Sequence, residues 1–158
     1  DRLGRKVVAG GGAGLAALTG RITEACDRAA DAGGRVEELA HLLRPRVTRL
    51  IEVTTALTEV GATDPEAFLA DATTYLEATG HVVIAWIWLE QVLALGSRVG
   101  GGEAGAGAAG SGAADPFAAG KLQAATYFLR RELPKVDAMF DLLAAGDRTT
   151  LDMRDEWF

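Results

Sequence analysis

The run Val82-Val83-Ile84-Ala85-Trp86-Ile87-Trp88-Leu89 carries no charge and is closed by Glu90 and Gln91. At about 100° per residue, Trp86 and Trp88 point roughly 200° apart on a helix, so large apolar groups face nearly every direction. A surface helix shows one apolar stripe, whereas a helix apolar all round is buried. Two readings stay open. The stretch is a central helix covered by its neighbours, or one of its sides docks on another subunit or domain, as large exposed apolar patches do. A membrane-surface role is disfavoured because the polar neighbours are not basic. The run is also far shorter than the ~20 residues that span a bilayer, so no transmembrane helix is expected.

The flanking sequence extends the helical pattern in both directions. Asp64-Pro65-Glu66 opens the helix that holds this run: Asp accepts from exposed amides, Pro suits the first helical position, and Glu suits the positive end of the dipole. That third helix is expected to reach about Leu95, weakened midway by Gly80. Before it, Val36, Leu39, Leu42, Leu43, Val47, Leu50, Ile51, Thr54, Leu57 and Val60 form the stripe of a second helix. Pro45 predicts a kink or break around His41–Arg46, and Gly61 stops the pattern. A first helix carries Leu15, Leu18, Ile22 and Cys26 at intervals of three and four, between Gly10-Gly11-Gly12-Ala13-Gly14 and Gly33-Gly34. Downstream, 96–114 is expected to be a flexible loop, almost wholly Gly and Ala from Gly100 to Ala114. Asp115-Pro116-Phe117 then repeats the helix start. The fourth helix carries Phe117, Leu122, Ala125, Phe128, Leu129, Val136, Phe140 and Leu143, kinked at Pro134, where the Arg130 carbonyl loses its partner, and ended by Gly146. Met153, Trp157 and Phe158 predict a tail that packs down. Val7-Val8 is too short for a strand. The pattern predicts one all-α domain over 1–158, an up-and-down four-helix bundle with kinked long helices and a Gly-rich loop between helices three and four.

Composition sets outer limits. The chain has 158 residues, 49% of them apolar, enough for one core and too few for two ordinary domains. Lys and Arg number 16 against 22 Asp and Glu, a net charge of −6, which argues against a nucleic-acid surface. The single Cys26 rules out an internal disulfide. No apolar h-region follows Asp1-Arg2-Leu3-Gly4-Arg5-Lys6, so no signal peptide is read and a cytoplasmic location is expected. A start at Asp1 rather than Met reads as a piece of something longer.

Candidate chemistry is thin. Lys6–Gly14 suggests a dinucleotide loop, but the third glycine of G-x-G-x-x-G would fall on Leu15, and no parallel sheet is predicted. Glu38-x-x-His41 is half of a di-iron ligand set. The other histidine, His81, follows Glu77 by four residues rather than three, so no second copy completes it. No metal site is therefore expected. Cys26, on an apolar face with no nearby His, reads as a buried, inert thiol. Ser97 and Ser111, at or in the loop, make no triad. Lys121, Arg130, Arg131 and Lys135 do not share a face and alternate with Glu132 and Asp137 as ordinary solvated charge. No catalytic residue is assigned. The interface candidates are Trp86, Trp88, Trp157 and Phe158, and the residues alone describe a helical bundle that docks on something.

A resemblance goes further. Leu3-Gly4-Arg5-Lys6-Val7 resembles the segment after the catalytic-glutamate region of acyl-CoA dehydrogenases. Tyr75-Leu76-x3-Gly80-x-Val82-Val83-x2-Trp86-x-Trp88-Leu89 resembles their C-terminal extension, as do Phe117-x3-Lys121-Leu122-x2-Ala125-x-Tyr127-Phe128, Glu132-Leu133-Pro134 and the closing Trp157-Phe158. In that order the matches cover most of the chain outside Gly100–Ala114 and point to the long branch of the family, in which an extra helical domain follows the flavin-binding body. Residues 1–34 would end the helical core of the flavoprotein and 35–158 would be the extension. The resemblance implies FAD-dependent α,β-dehydrogenation of acyl-CoA thioesters, in which a glutamate removes the α-proton and the β-hydride passes to flavin. An electron-transfer flavoprotein would then take the electrons. The glutamate, the FAD pocket and the acyl-CoA pocket would all lie before Asp1. The implied partners are the flavin-binding body and further copies in a homo-oligomer, with no cofactor expected on this chain alone. The rival readings are a free-standing helical interaction module and a bundle with a metal inside.

Overall fold

The computed structural model describes residues 12–99 and 115–157. Among them every regular element is helical, as the all-α reading expects. Helix α1 spans Ala13–Ala32 and buries Ile22, Ala25, Cys26 and Ala29. A turn of a single residue joins it to α2, Gly34–Thr63. Gly33 and Gly34 take φ of 70° and 57°, where a side chain would be strained, and the Gly33 amide donates to the Ala29 and Ala30 carbonyls.

Helix α2 corrects two expectations. It runs unbroken through Pro45 and past Gly61. Pro45 removes only the bond to the His41 carbonyl, and both residues lie on the exposed side, where that oxygen is open to solvent. The Arg46 guanidinium donates to the Leu42 carbonyl at 2.8 Å and braces the same turn. Gly61 stays inside the helix, at a position where bulk is excluded: a Cβ would stand 3.0 Å from the Phe68 ring.

The expected third helix is two. The short α3, Pro65–Ala70, is capped by Asp64, whose Oδ1 accepts from the Ala67 amide at 3.0 Å. The chain breaks at Asp71 (φ −101°, ψ 13°) and restarts as α4, Ala72–Leu95. Phe68 of α3 lies against Gly61 of α2. Burial, with Asp147 nearby, pushes the Asp71 carboxyl above its ordinary value. Gly96–Arg98 then form one tight 3₁₀ turn rather than the start of a loop, and Arg98 pairs with Asp115. The rest of the expected Gly-rich loop, 100–114, lies outside the described residues.

Helix α5, Pro116–Tyr127, is capped by Asp115 through the Phe117 and Ala118 amides. A wide π turn follows over Phe128–Glu132, in which the Leu133 amide donates to the Phe128 carbonyl at 2.9 Å. After Pro134 comes α6, Lys135–Ala145. The disturbance expected at Pro134 thus starts six residues earlier. Leu122, Ala125, Leu129, Leu133, Val136, Phe140 and Leu143 are all buried. Their spacing of three, four, four, three, four and three keeps them within about 80° of arc at 100° per residue, one continuous face. Gly146 ends α6.

Cross-helix pairs fix the directions. Arg44–Asp27 sets α1 and α2 antiparallel, and Lys121–Gln91 with His81 stacked on Phe128 sets α4 and α5 antiparallel. Arg130–Glu38, Arg46–Asp137 and Arg49–Asp141 run α2 parallel to the α5–α6 rod. Helices α2 and α4 lie centrally, each packed on α1 and on α6. The tail departs from expectation: Met153 is exposed and Trp157, in a last 3₁₀ turn, is 61% exposed with Arg154 over its ring. Phe158 lies outside the described residues.

By length and composition, Ala72–Arg98 is long and apolar enough to cross a membrane, contrary to the expectation drawn from the shorter uncharged run. Glu90 and Gln91, which close the shorter run, are too few to make the longer segment polar. The helix nonetheless packs as a core element, with Ala78, Val82, Ala85, Leu89 and Val92 fully buried.

Both aspartate caps are held below the ordinary carboxylate range, Asp64 by the Ala67 amide and Arg148, Asp115 by Arg98 and the Ala118 and Phe117 amides. A depressed folded pKa contributes stability that is present at neutral pH and lost as pH falls through the folded value. Asp64→Asn with Asp115→Asn, which keeps both caps uncharged, is expected to flatten the loss of urea stability between about pH 4 and pH 2. An acid limb as steep as in the parent chain would remove these two groups as its source.

Candidate docking surface

Helix α4 decides between the two readings of its sequence by having both properties. Its buried stripe is narrow and carries alanines at 78 and 85, which let neighbouring backbones approach closely. On the far side Leu76, Ile84 and Ile87 are 51%, 45% and 45% exposed. These three, with half-buried Val83, fall within roughly 100° of arc. They form an uncharged apolar face of a kind that marks interaction sites.

The tryptophans lie between the two sides. Trp86 is half-buried against the core, and its Nε1 donates to Glu90 Oε1 at 3.2 Å. Arg28 of α1 holds the same carboxylate at 2.5 Å. Trp88 is half-buried under the Lys121 ammonium, 5.3 Å from its centroid, and that ammonium also sits 5.8 Å from the Phe117 ring and donates to Gln91. Of the four interface candidates, Trp157 is the most exposed of those described and stands on its own turn. Leu76, Ile84 and Ile87 were missed as candidates because in sequence they are indistinguishable from their buried neighbours.

The possible catalytic and metal groups are not brought together. Glu38 is taken by Arg130 at 3.2 Å, while His41 stands 3.8 Å from Glu37 on the exposed side of α2. His81 stacks on Phe128 at 6.1 Å. No cluster of three metal-ligating side chains forms among the described residues. Cys26 is buried, and that burial raises its thiol pKa against the lowering effect of Arg44, which disfavours the thiolate. Ser97 sits in the 3₁₀ turn and Ser111 lies outside the described residues. Lys135 pairs with Glu132 at 2.5 Å, leaving Arg131 exposed.

A groove of about 950 Å³ opens between α1 and α2. Threonines at helical spacing floor it, a signal legible at 19 and 23 and at 54, 55 and 58. Each hydroxyl donates back to a carbonyl of its own helix: Thr19 to Leu15, Thr23 to Thr19, Thr54 to Leu50, Thr55 to Ile51 and Thr58 to Thr54, at 2.7–2.9 Å. Its charged lining residues are Glu24, Asp27 and Glu59, with no Lys or Arg among the described ones. A dinucleotide pyrophosphate or the phosphates of an acyl-CoA would meet only like charge here. The described residues therefore do not fit FAD or a CoA thioester at this groove. The segment 6–11 of the possible phosphate loop lies outside the described residues.

The family model described as acetyl-CoA dehydrogenase C-terminal like matches residues 18–154. No curated relative matches the chain.

Proposed function

The chain belongs to the acetyl-CoA dehydrogenase C-terminal-like family, and from that premise we propose that it is the helical C-terminal region of an FAD-dependent acyl-CoA dehydrogenase and serves packing and subunit contacts rather than chemistry. The observation that carries this is the exposed apolar face of α4, Leu76, Ile84 and Ile87, on a helix whose other side is already packed. An interior helix of a self-contained module would be expected to close that side with its own residues. In this reading FAD, the acyl-CoA and the glutamate base belong to the flavin-binding body, as does the α,β-dehydrogenation that feeds an electron-transfer flavoprotein. The family match supports that assignment through the parent enzyme, and the acidic groove supports placing the anionic cofactor elsewhere. The same reading assigns the chain to the cytoplasm as part of a homo-oligomer.

The test is Ile84→Asp with Ile87→Asp. In the 158-residue chain these exposed substitutions are expected to leave helicity unchanged and to shift stability by less than about 1 kcal/mol. In the full enzyme they are expected to shift sedimentation toward smaller species or to loosen the domain, seen as new proteolysis at its boundary. An enzyme with unchanged assembly and unchanged proteolysis would overturn the packing role. A source polypeptide of only these 158 residues, with no flavoprotein attached, would favour the free-standing interaction module.

A further inference from the structure

The α1–α2 groove shares no lining residue with the α4 face and has its own chemistry. Leu15 and Ile51 give it apolar walls, and Thr19 and Thr54 are buried in its floor. The threonine hydrogens are already donated within their own helices, so the floor offers few donors to a visitor. Glu24 and Glu59 lie on its two opposite helices, and neither has an ion-pair partner among the described residues. Arg28, one turn from Glu24, is engaged by Glu90, and Arg44 is engaged by Asp27.

We infer that this groove is the seat of a basic amphipathic helix from a protein partner. The occupant must bring apolar side chains, because the walls are apolar. It must satisfy its own backbone, because the floor does not, and a helix does so where an extended peptide would not. It must carry Lys or Arg on both flanks of its apolar stripe, to face Glu24 on α1 and Glu59 on α2. The groove runs along α1 from Gly12 to Asp27, about 22 Å or four helical turns. An anionic lipid or an acyl-CoA would satisfy the first requirement and fail the third, since its head group is negatively charged.

The test uses the 158-residue chain with two synthetic helical peptides about four turns long, one built of Leu and Lys and the other of Leu and Glu. The Leu/Lys peptide is expected to bind and to shift backbone amide NMR signals within 13–27 and 51–62. Glu24→Lys with Glu59→Lys, both at exposed positions, is expected to leave the circular dichroism unchanged and to weaken that binding about tenfold. The Leu/Glu peptide is expected not to bind. Shifts confined to α4, equal binding of both peptides, or unchanged binding by the charge-reversed variant would each overturn the inference. The α4 reading is tested by different residues, so either can fail without the other.

Discussion

Phe140→Ala is expected to lower the unfolding free energy by about 3–5 kcal/mol, the range for emptying a fully enclosed aromatic site. Among the described residues Phe140 is the largest fully buried side chain, and it sits on α6, where that helix meets both α2 and α4. Little of the loss would be recovered by collapse. Pro134 and the π turn hold α6 from one end, and its flanking aspartates, Asp137 and Asp141, are tied to Arg46 and Arg49 of α2. Those ion pairs are too exposed to stabilise α6 unaided, so the ring is the main anchor. Phe140→Leu, which keeps most of the apolar contact, should cost less than about 1.5 kcal/mol. Urea unfolding checks both, with the midpoint falling and the slope unchanged. A loss below about 1 kcal/mol for the alanine variant would mean that α6 is not held against α2 and α4 as described.

The helix starts were the most legible part of the sequence, because Asp-Pro acts through its own backbone. Asp64 and Asp115 cap the helices that follow them, and Gly33-Gly34 makes the turn. The unbroken α2 was not legible, because whether Pro45 breaks a helix depends on which way the His41 carbonyl faces. The break at Asp71 was not legible either, because no Gly or Pro marks it in the sequence. The π turn was not legible, because the apolar spacing from Leu122 to Leu143 also fits one face of a regular helix. On α4, pattern reading reaches its limit. Where every position is apolar, periodicity cannot say which side is packed, and the alanines at 78 and 85 were the one clue that a neighbouring backbone lies there. The groove between α1 and α2 needed two helices brought side by side before its acidic character existed at all.

Trp86→Ala separates the two roles that α4 combines. The ring is half-buried against the core rather than enclosed, so its removal is expected to cost about 2–3 kcal/mol, less than a fully buried tryptophan would. Part of that cost is polar. Without the indole N–H, the Glu90 carboxylate loses the hydrogen bond from its own helix that steadies it and keeps only Arg28 of α1. Trp86→Phe keeps the apolar contact and drops the donor, and should cost about 1 kcal/mol. Neither variant is expected to alter association, because the exposed face is carried by Leu76, Ile84 and Ile87. The opposite pattern, an unchanged unfolding midpoint with altered sedimentation, would move the docking surface onto the tryptophan side of α4. The apolar face at Ile84 and Ile87 would then have to be solvent-facing in the assembled protein as well, leaving α4 with a partner on the side now assigned to α1.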